Sequence, residues 1–256
     1  MADHVQSLAR GLAVIRAFSA SEPELTLSQV ARATGLSRAA ARRFLITLTD
    51  LGYVRSDGRL FALTPRVLEL GYAYLSSLSL PEVADPHLER LAAEVHESAS
   101  VAVLDGEDVV YVARVATTRI MRMSIGIGTR FPAYCTSMGR VLLAALPPEQ
   151  LDAYLRGAEL RRLTSRTIVL PAALRAELDQ VRGQGWAMVD QELEEGLRSI
   201  AAPILDRSGS TVAAVNVSTH ASRTSTQAAR RDLLPPLLAT AARIGTDLAS
   251  LPTARA

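Results

Sequence analysis

Five arginines near the start of the chain have the type and spacing of a nucleic-acid contact. They are Arg38, Arg42 and Arg43 in one segment and Arg55 and Arg59 around an Asp-Gly turn. A guanidinium group can bond guanine in bidentate fashion or hold a phosphate. Small neighbours such as Ala39 would let a helix backbone approach a base pair. The residues predict DNA binding, and the alternative is an ordinary solvated helix with exposed turn arginines.

A winged helix-turn-helix would position these arginines, and its signals are present. Thr26 and Gln29 have the spacing of a capping box, and Gly35 stands where the helix would stop. Ser37 then caps a helix whose inward stripe is Ala41, Phe44, Leu45 and Leu48. Two short strands around Asp57-Gly58 would form the wing. We predict a DNA-binding domain over residues 1–65, with contacts from Ser37, Arg38, Ala39, Arg42, Arg43, Arg55 and Arg59.

Composition and charge agree with a DNA-binding module joined to a larger body. The chain has 256 residues and a net charge of +2, and all 28 basic residues are arginine. Residues 1–66 hold nine arginines against five acids, whereas the remainder holds 19 against 21. The single cysteine excludes an internal disulfide. No apolar run has the length of a membrane span and no leader pattern opens the sequence, so we expect a cytoplasmic protein without membrane contact.

Residues 66–80 predict a helix that connects two domains. Thr64 and Pro65 form a start signal. The segment that follows is apolar on many sides, through Val67, Leu68, Leu70, Tyr72, Tyr74, Leu75 and Leu78. Such a helix must bury those side chains against a partner, which favours a homodimer.

Residues 81–256 alternate between helix and strand patterns and predict an α+β domain with an antiparallel or mixed sheet. The predicted strands are 100–104, 108–115, 119–125, 186–190, 199–205 and 211–218. The predicted helices are 82–97, 137–146, 148–156, 171–183 and 226–251, the last bent near its two prolines.

Several runs resemble the IclR family of bacterial regulators, in the right order along nearly the whole chain. In the N-terminal part they are LSRAAARRFL (36–45), LGYV (51–54) and LTPRVLELG (63–71); in the C-terminal part they are YCTSMGRVL (134–142), DQE (190–192), EGLRSIAAPI (195–204) and NVS (216–218). The resemblance implies a winged helix-turn-helix, a linker helix and a GAF-like or profilin-like effector-binding domain. It also implies homodimers or tetramers on double-stranded operator DNA.

Details of these runs are most similar to the branch that controls breakdown of aromatic acids through protocatechuate or catechol. The implied effector residues are Tyr134, Cys135, Thr136, Ser137, Met138, Gly139, Asp190, Ser199, Asn216 and Ser218. A helix that begins at Ser137 would offer backbone N–H groups to a carboxylate, and Asn and Ser side chains could bond ring hydroxyls. Ser199 is often cysteine and Asn216 often serine in the family, and these departures favour a larger aromatic acid over a glyoxylate-like effector. The branch resemblance implies protocatechuate or a related acid.

The acidic residues, the arginines and the single cysteine also leave enzymatic and metal-binding alternatives open. Cys135 could be a nucleophile of an enzyme fused to a DNA-binding domain, but no histidine lies at a recognised spacing, and a buried thiol is favoured. Asp190, Glu192, Glu194 and Glu195 could bind a metal or form a solvated turn. Arg119, Arg122 and Arg130 could pair with an acidic effector or face solvent. We predict no catalytic residue, no metal and no cofactor.

Overall fold

The computed structural model describes residues 5–19, 21–71, 79–117 and 125–250. The chain divides into two compact units, Met1–Ser77 and Leu78–Ala256. Residues 72–78 of the predicted linker helix and 118–124 around the predicted strand 119–125 lie outside the described residues. Before that gap, Pro65–Val67 form a 3-10 turn and residues 68–71 are helical.

The N-terminal unit is a winged helix-turn-helix, as predicted. Its elements are α1 (Gln6–Arg16), β1 (Glu24–Thr26), α2 (Leu27–Thr34), α3 (Arg38–Asp50), β2 (Val54–Ser56) and β3 (Leu60–Leu63). The strands form an antiparallel sheet in the order β1-β3-β2. Strand β1 is absent from the prediction because three residues are too few to show alternation; its pairing with β3, Leu25 opposite Phe61, creates it.

Local capping signals and one small core together hold this unit. The Thr26 hydroxyl and the Gln29 amide cap α2 reciprocally, as the sequence indicated. Val14, Leu25, Val30 and Leu45 are almost fully buried in a single cluster. The inward side of α3 is therefore fixed, and its other side is left to solvent.

The C-terminal unit has an α+β fold around one six-stranded antiparallel sheet in the order β6-β5-β4-β9-β8-β7. Its strands are β4 (Ser98–Asp105), β5 (Asp108–Val115), β6 (Arg130–Pro132), β7 (Ala187–Asp190), β8 (Leu197–Leu205) and β9 (Thr211–His220). Its helices are α4 (Ser79–Val95), α5 (Ser137–Ala144), α6 (Pro148–Gly157), α7 (Pro171–Gln184), α8 (Thr226–Ala228) and α9 (Leu234–Ser250). A 3-10 turn, Ala133–Cys135, precedes α5.

Each face of the sheet has its own apolar core. Helix α5 packs on the face that carries Ala201 and Ala214, and α7 packs on α5 within the same core. Helices α4 and α9 pack on the other face, which carries Ile200 and Val215. Because successive residues of a strand point to opposite faces, each polar residue of β8 and β9 can be assigned to one of these layers.

The predicted terminal helix is divided by a π-helical turn, Ala229–Leu233, between α8 and α9. Pro235 and Pro236 follow at once, and neither has an N–H to donate to the preceding turn, which explains why the regular bonding pattern shifts here. Among the helices of the described ranges, none combines the length and apolar character needed to cross a membrane.

Candidate functional site

The predicted DNA-contacting helix is positioned by its own caps and by the core. Gly35 has a φ of +66° and ends α2, and the Ser37 hydroxyl accepts a hydrogen bond from the Ala40 N–H at 3.2 Å. Ala41, Leu45 and Leu48 are buried. Arg38, Ala39, Arg42 and Arg43 are exposed on the other side.

Four of the five predicted DNA-binding arginines have uncommitted guanidinium groups. Within the ranges that the structure describes, Arg38, Arg42, Arg43 and Arg59 make no side-chain hydrogen bond or ion pair. Arg55 differs, because its guanidinium lies 3.0 Å from the carboxylate of Glu24 on β1. That pair is solvent-exposed and worth less than about 1 kcal/mol, so a phosphate could compete for Arg55.

The tip of the wing is ordered by the Asp57 carboxylate. It accepts hydrogen bonds from the backbone N–H groups of Leu60 at 2.7 Å and Arg59 at 2.9 Å. These bonds lower the pKa of Asp57. Gly58, with a φ of +96°, supplies the left-handed conformation that the turn needs. The turn therefore presents Arg59 from a defined loop.

A row of polar side chains crosses the sheet face that supports α5. Ser199 pairs with Ser218, and Ser218 pairs in turn with Ser98 of β4. Asn216 lies opposite Ser100. The predicted residues Ser199, Asn216 and Ser218 are thus brought together. Sequence reasoning missed Ser98 and Ser100, although their spacing of two was a usable signal.

Two buried polar atoms in this region have no partner. The amide nitrogen of Asn216 donates to the Ser218 hydroxyl at 3.2 Å, which leaves its carbonyl oxygen Oδ1 without a hydrogen bond. The Ser137 hydroxyl, in the first turn of α5, also lacks a partner. Helix α5 packs directly on β8 and β9. Unpaired buried polar atoms are costly and rare, so this pair makes the region a candidate site for a ligand.

The predicted run Tyr134–Gly139 forms the turn and first part of α5, and it is buried throughout. The Thr136 hydroxyl caps α5 by accepting from the Gly139 N–H at 3.1 Å. The N–H groups of Ser137 and Met138 have no partner inside the helix, since they belong to its first turn. The Tyr134 hydroxyl points away to donate to the Arg161 carbonyl oxygen at 2.7 Å.

Asp190 lies apart from the polar row. It pairs with Arg198 in the β7–β8 ladder, whereas its neighbour Val189 pairs with Ser199. Strand alternation therefore directs Asp190 to the other face. Its carboxylate lies 2.6 Å from Arg198 and also pairs with Arg166. We assign this carboxylate to the two arginines rather than to a ligand.

A buried ion pair behind α5 is a further feature that the sequence did not indicate. Arg140 is 1% exposed, and its guanidinium lies 2.6 Å from the carboxylate of Glu192, which is 7% exposed. Arg140 also donates to the Tyr134 carbonyl oxygen at 3.1 Å, and Glu192 accepts from the Ile168 N–H at 3.1 Å. The pair ties the start of α5 to two loops.

Of the remaining arginine candidates, Arg130 is engaged elsewhere. Arg130 pairs with Asp105 at 2.6 Å and Asp108 at 3.1 Å, while Arg119 and Arg122 lie outside the described residues. In the part of the chain that the structure describes, no three metal-ligating side chains are grouped. A separate cleft of about 1120 Å³ lies beside Glu107, Tyr154 and Arg182. None of the predicted effector residues lines it.

The thiol of Cys135 should be unreactive in the folded protein. Burial raises its pKa to about 12, and the Glu192 carboxylate acts in the same direction. Since the thiolate is the nucleophile, we expect alkylation by iodoacetamide to be at least about a hundredfold slower in the native than in the unfolded protein. Equal rates, followed by mass spectrometry, would revive the nucleophile interpretation.

The two units together have the organisation of a DNA-binding regulator with a separate sensor domain. Residues 7–58 match the IclR helix-turn-helix domain, and residues 72–246 match the bacterial transcriptional regulator IclR C-terminal domain. The chain therefore belongs to the IclR family of bacterial transcriptional regulators.

Individual relatives agree with the family. The Pca regulon regulatory protein of Pseudomonas putida is 52% identical over 238 residues, covering 93% of this chain and 82% of that protein. A transcriptional regulator from Rhodococcus sp. RHA1 has a crystal structure with 61% identity and a TM-score of 0.86, covering 97% of this chain and 100% of that one. An IclR homolog from Microbacterium hydrocarbonoxydans complexed with 4-hydroxybenzoate has 27% identity and a TM-score of 0.83, covering 96% and 100%.

Proposed function

We propose that this regulator controls aromatic catabolism and responds to a hydroxylated aromatic acid such as protocatechuate or 4-hydroxybenzoate. The observation that carries the proposal is the pair of unpartnered buried atoms, Asn216 Oδ1 and Ser137 Oγ. The family relatives support it, since one is a Pca regulon regulator and another was crystallised with 4-hydroxybenzoate.

The chemistry of these atoms supports a hydroxylated aromatic acid as the ligand. Asn216 Oδ1 is an acceptor, so it requires an O–H or N–H from the ligand. The buried guanidinium of Arg140 is already paired with the Glu192 carboxylate, and Arg198 is paired with Asp190 on the other face of the sheet. A ligand carboxylate would therefore be received by the N–H groups and the Ser137 hydroxyl at the start of α5. A ring that carries both a carboxylate and a hydroxyl satisfies both ends.

The direct experiment is calorimetric binding and thermal stability of the full chain against protocatechuate, 4-hydroxybenzoate, catechol, cis,cis-muconate, β-ketoadipate and glyoxylate. A ligand that binds only the native state raises the melting temperature. We expect the hydroxylated aromatic acids to bind and glyoxylate not to bind. Binding of glyoxylate alone would overturn the aromatic assignment and favour the small-acid alternative.

Changing Asn216 to leucine should abolish discrimination by the ring hydroxyl. In the wild type, benzoate leaves Asn216 Oδ1 unpaired and should bind about 10- to 100-fold more weakly than 4-hydroxybenzoate. In the variant the two acids should bind with similar affinity. The control is Thr211→Val at the far end of the same strand. Persistent discrimination in Asn216→Leu would remove this residue from the site.

Changing Arg42 to alanine should cost about 1 to 3 kcal/mol of discrimination at one base pair, because a bidentate contact to guanine is lost. Arg59→Ala should instead weaken binding to all duplexes alike and reduce the salt dependence, as expected of a phosphate contact. Arg243→Ala, an exposed arginine of α9, controls for net charge. The measurement is binding of duplexes selected from a randomised library; an unchanged preference in Arg42→Ala contradicts the assignment.

The response to the ligand follows from linkage. A ligand shifts DNA affinity only if it binds two arrangements of a homodimer or tetramer with different affinity.

We propose residues 1–65 as the DNA-binding domain, 66–80 as the linker helix and 81–256 as the effector-binding domain of a cytoplasmic protein. We also infer that it is not an enzyme, which the protonated, buried Cys135 supports.

A further inference from the structure

Ile46 is an exposed apolar residue in the middle of α3. Its side chain is 44% exposed, and it takes no part in the core cluster that contains Leu45 and Leu48. Water does not stabilise a branched aliphatic side chain, whereas removing it fully from water would contribute about 1.5 to 3 kcal/mol of free energy. Single exposed apolar residues are common at protein surfaces, so the position of Ile46 on α3 decides whether this one has a partner.

The helical period places Ile46 on the same side as the uncommitted arginines. It follows Arg42 by four residues and Arg43 by three, so it lies one turn farther along the same surface. The buried residues Ala41 and Leu45 occupy the opposite side. Asp50, one turn beyond Ile46, would repel phosphate, so the part of this side that runs from Arg38 to Ile46 is the part suited to DNA.

We infer that Ile46 contacts the C5-methyl group of a thymine in the operator. That methyl is the apolar group that the major groove displays, and aliphatic side chains recognise it by contact. Four helical residues advance about 6 Å and three about 4.5 Å. With base pairs about 3.4 Å apart, the thymine should lie one or two base pairs from the guanine that an arginine reads. This inference rests on the proposed role of α3 as the recognition helix.

The experiment uses operator duplexes selected from a randomised library by the full-length protein. Each thymine is replaced in turn by uracil, which lacks only the methyl group. One replacement should weaken the wild type about fourfold, the effect of one buried methyl. Ile46→Ala should bind thymine and uracil duplexes equally, and Ile46→Val should retain part of the preference. Leu163→Ala, in which an equally exposed residue of the other unit is truncated, should behave as wild type.

The possible results separate this inference from the function on which it rests. Equal sensitivity to uracil in wild type and Ile46→Ala overturns the inference, and so does an altered oligomeric state in the variant with thymine recognition intact. If Arg42→Ala still changes base preference in that case, α3 remains the recognition helix. If neither variant changes preference, both the inference and the role of α3 fail.

Discussion

Replacing Glu192 by alanine should lower the free energy of unfolding of the C-terminal unit by about 3 to 5 kcal/mol. The substitution leaves the guanidinium of Arg140, which is 1% exposed, without its 2.6 Å partner. It also removes the acceptor of the Ile168 N–H. The fluorescence of Trp186, the single tryptophan, reports on this unit during denaturant unfolding.

Two further variants show whether the unpaired charge is the cause. Glu177→Ala removes the other carboxylate near Arg140, which is 3.4 Å away and 26% exposed, and should cost less than about 1 kcal/mol. The double variant Arg140→Met, Glu192→Leu buries no charge and should recover most of the stability. If the double variant were no more stable than Glu192→Ala, the lost hydrogen bonds to the loops, rather than the unpaired charge of Arg140, would be the cause of the destabilisation.

Replacing Gly139 by alanine should destabilise the same unit by about 3 kcal/mol and abolish ligand binding. A Cβ atom built on Gly139 would lie 2.1 Å from the carbonyl oxygen of Ala133. Both atoms belong to the backbone, so no side chain can rotate to relieve the contact. The turn that carries Tyr134 and Cys135 must move away from α5, and with it the start of the proposed site.

The matched control is Gly183→Ala. Gly183 is also helical, in α7, but nothing lies within 4 Å of its Cβ position. Alanine there should raise stability by about 0.4 to 1 kcal/mol by restricting the unfolded chain. If Gly139→Ala unfolds like wild type and still binds a hydroxylated aromatic acid by calorimetry, close packing of α5 on the turn is not required for the site.

Much of the candidate site was predictable because its signals are local. Each of these signals acts within four residues of the chain. They are the caps of α2 and α3, the glycine between the two helices and the Asp-Gly turn. The run from Tyr134 to Gly139 was identified by family resemblance. The Arg140–Glu192 pair was not predicted, since its partners are 52 residues apart and only packing brings them together.

The sequence by itself determined the winged helix-turn-helix, its arginine-bearing helix and the family to which the chain belongs. The tertiary structure alone decided which polar side chains share a face. Strand pairing places Ser98 beside Ser218 on one face of the sheet. Asp190 pairs with Arg198 and lies on the other face, although its neighbour Val189 pairs with Ser199. The physical reason is that caps depend on neighbours in the chain, whereas a strand's partners depend on register, and a shift of one residue exchanges the two faces.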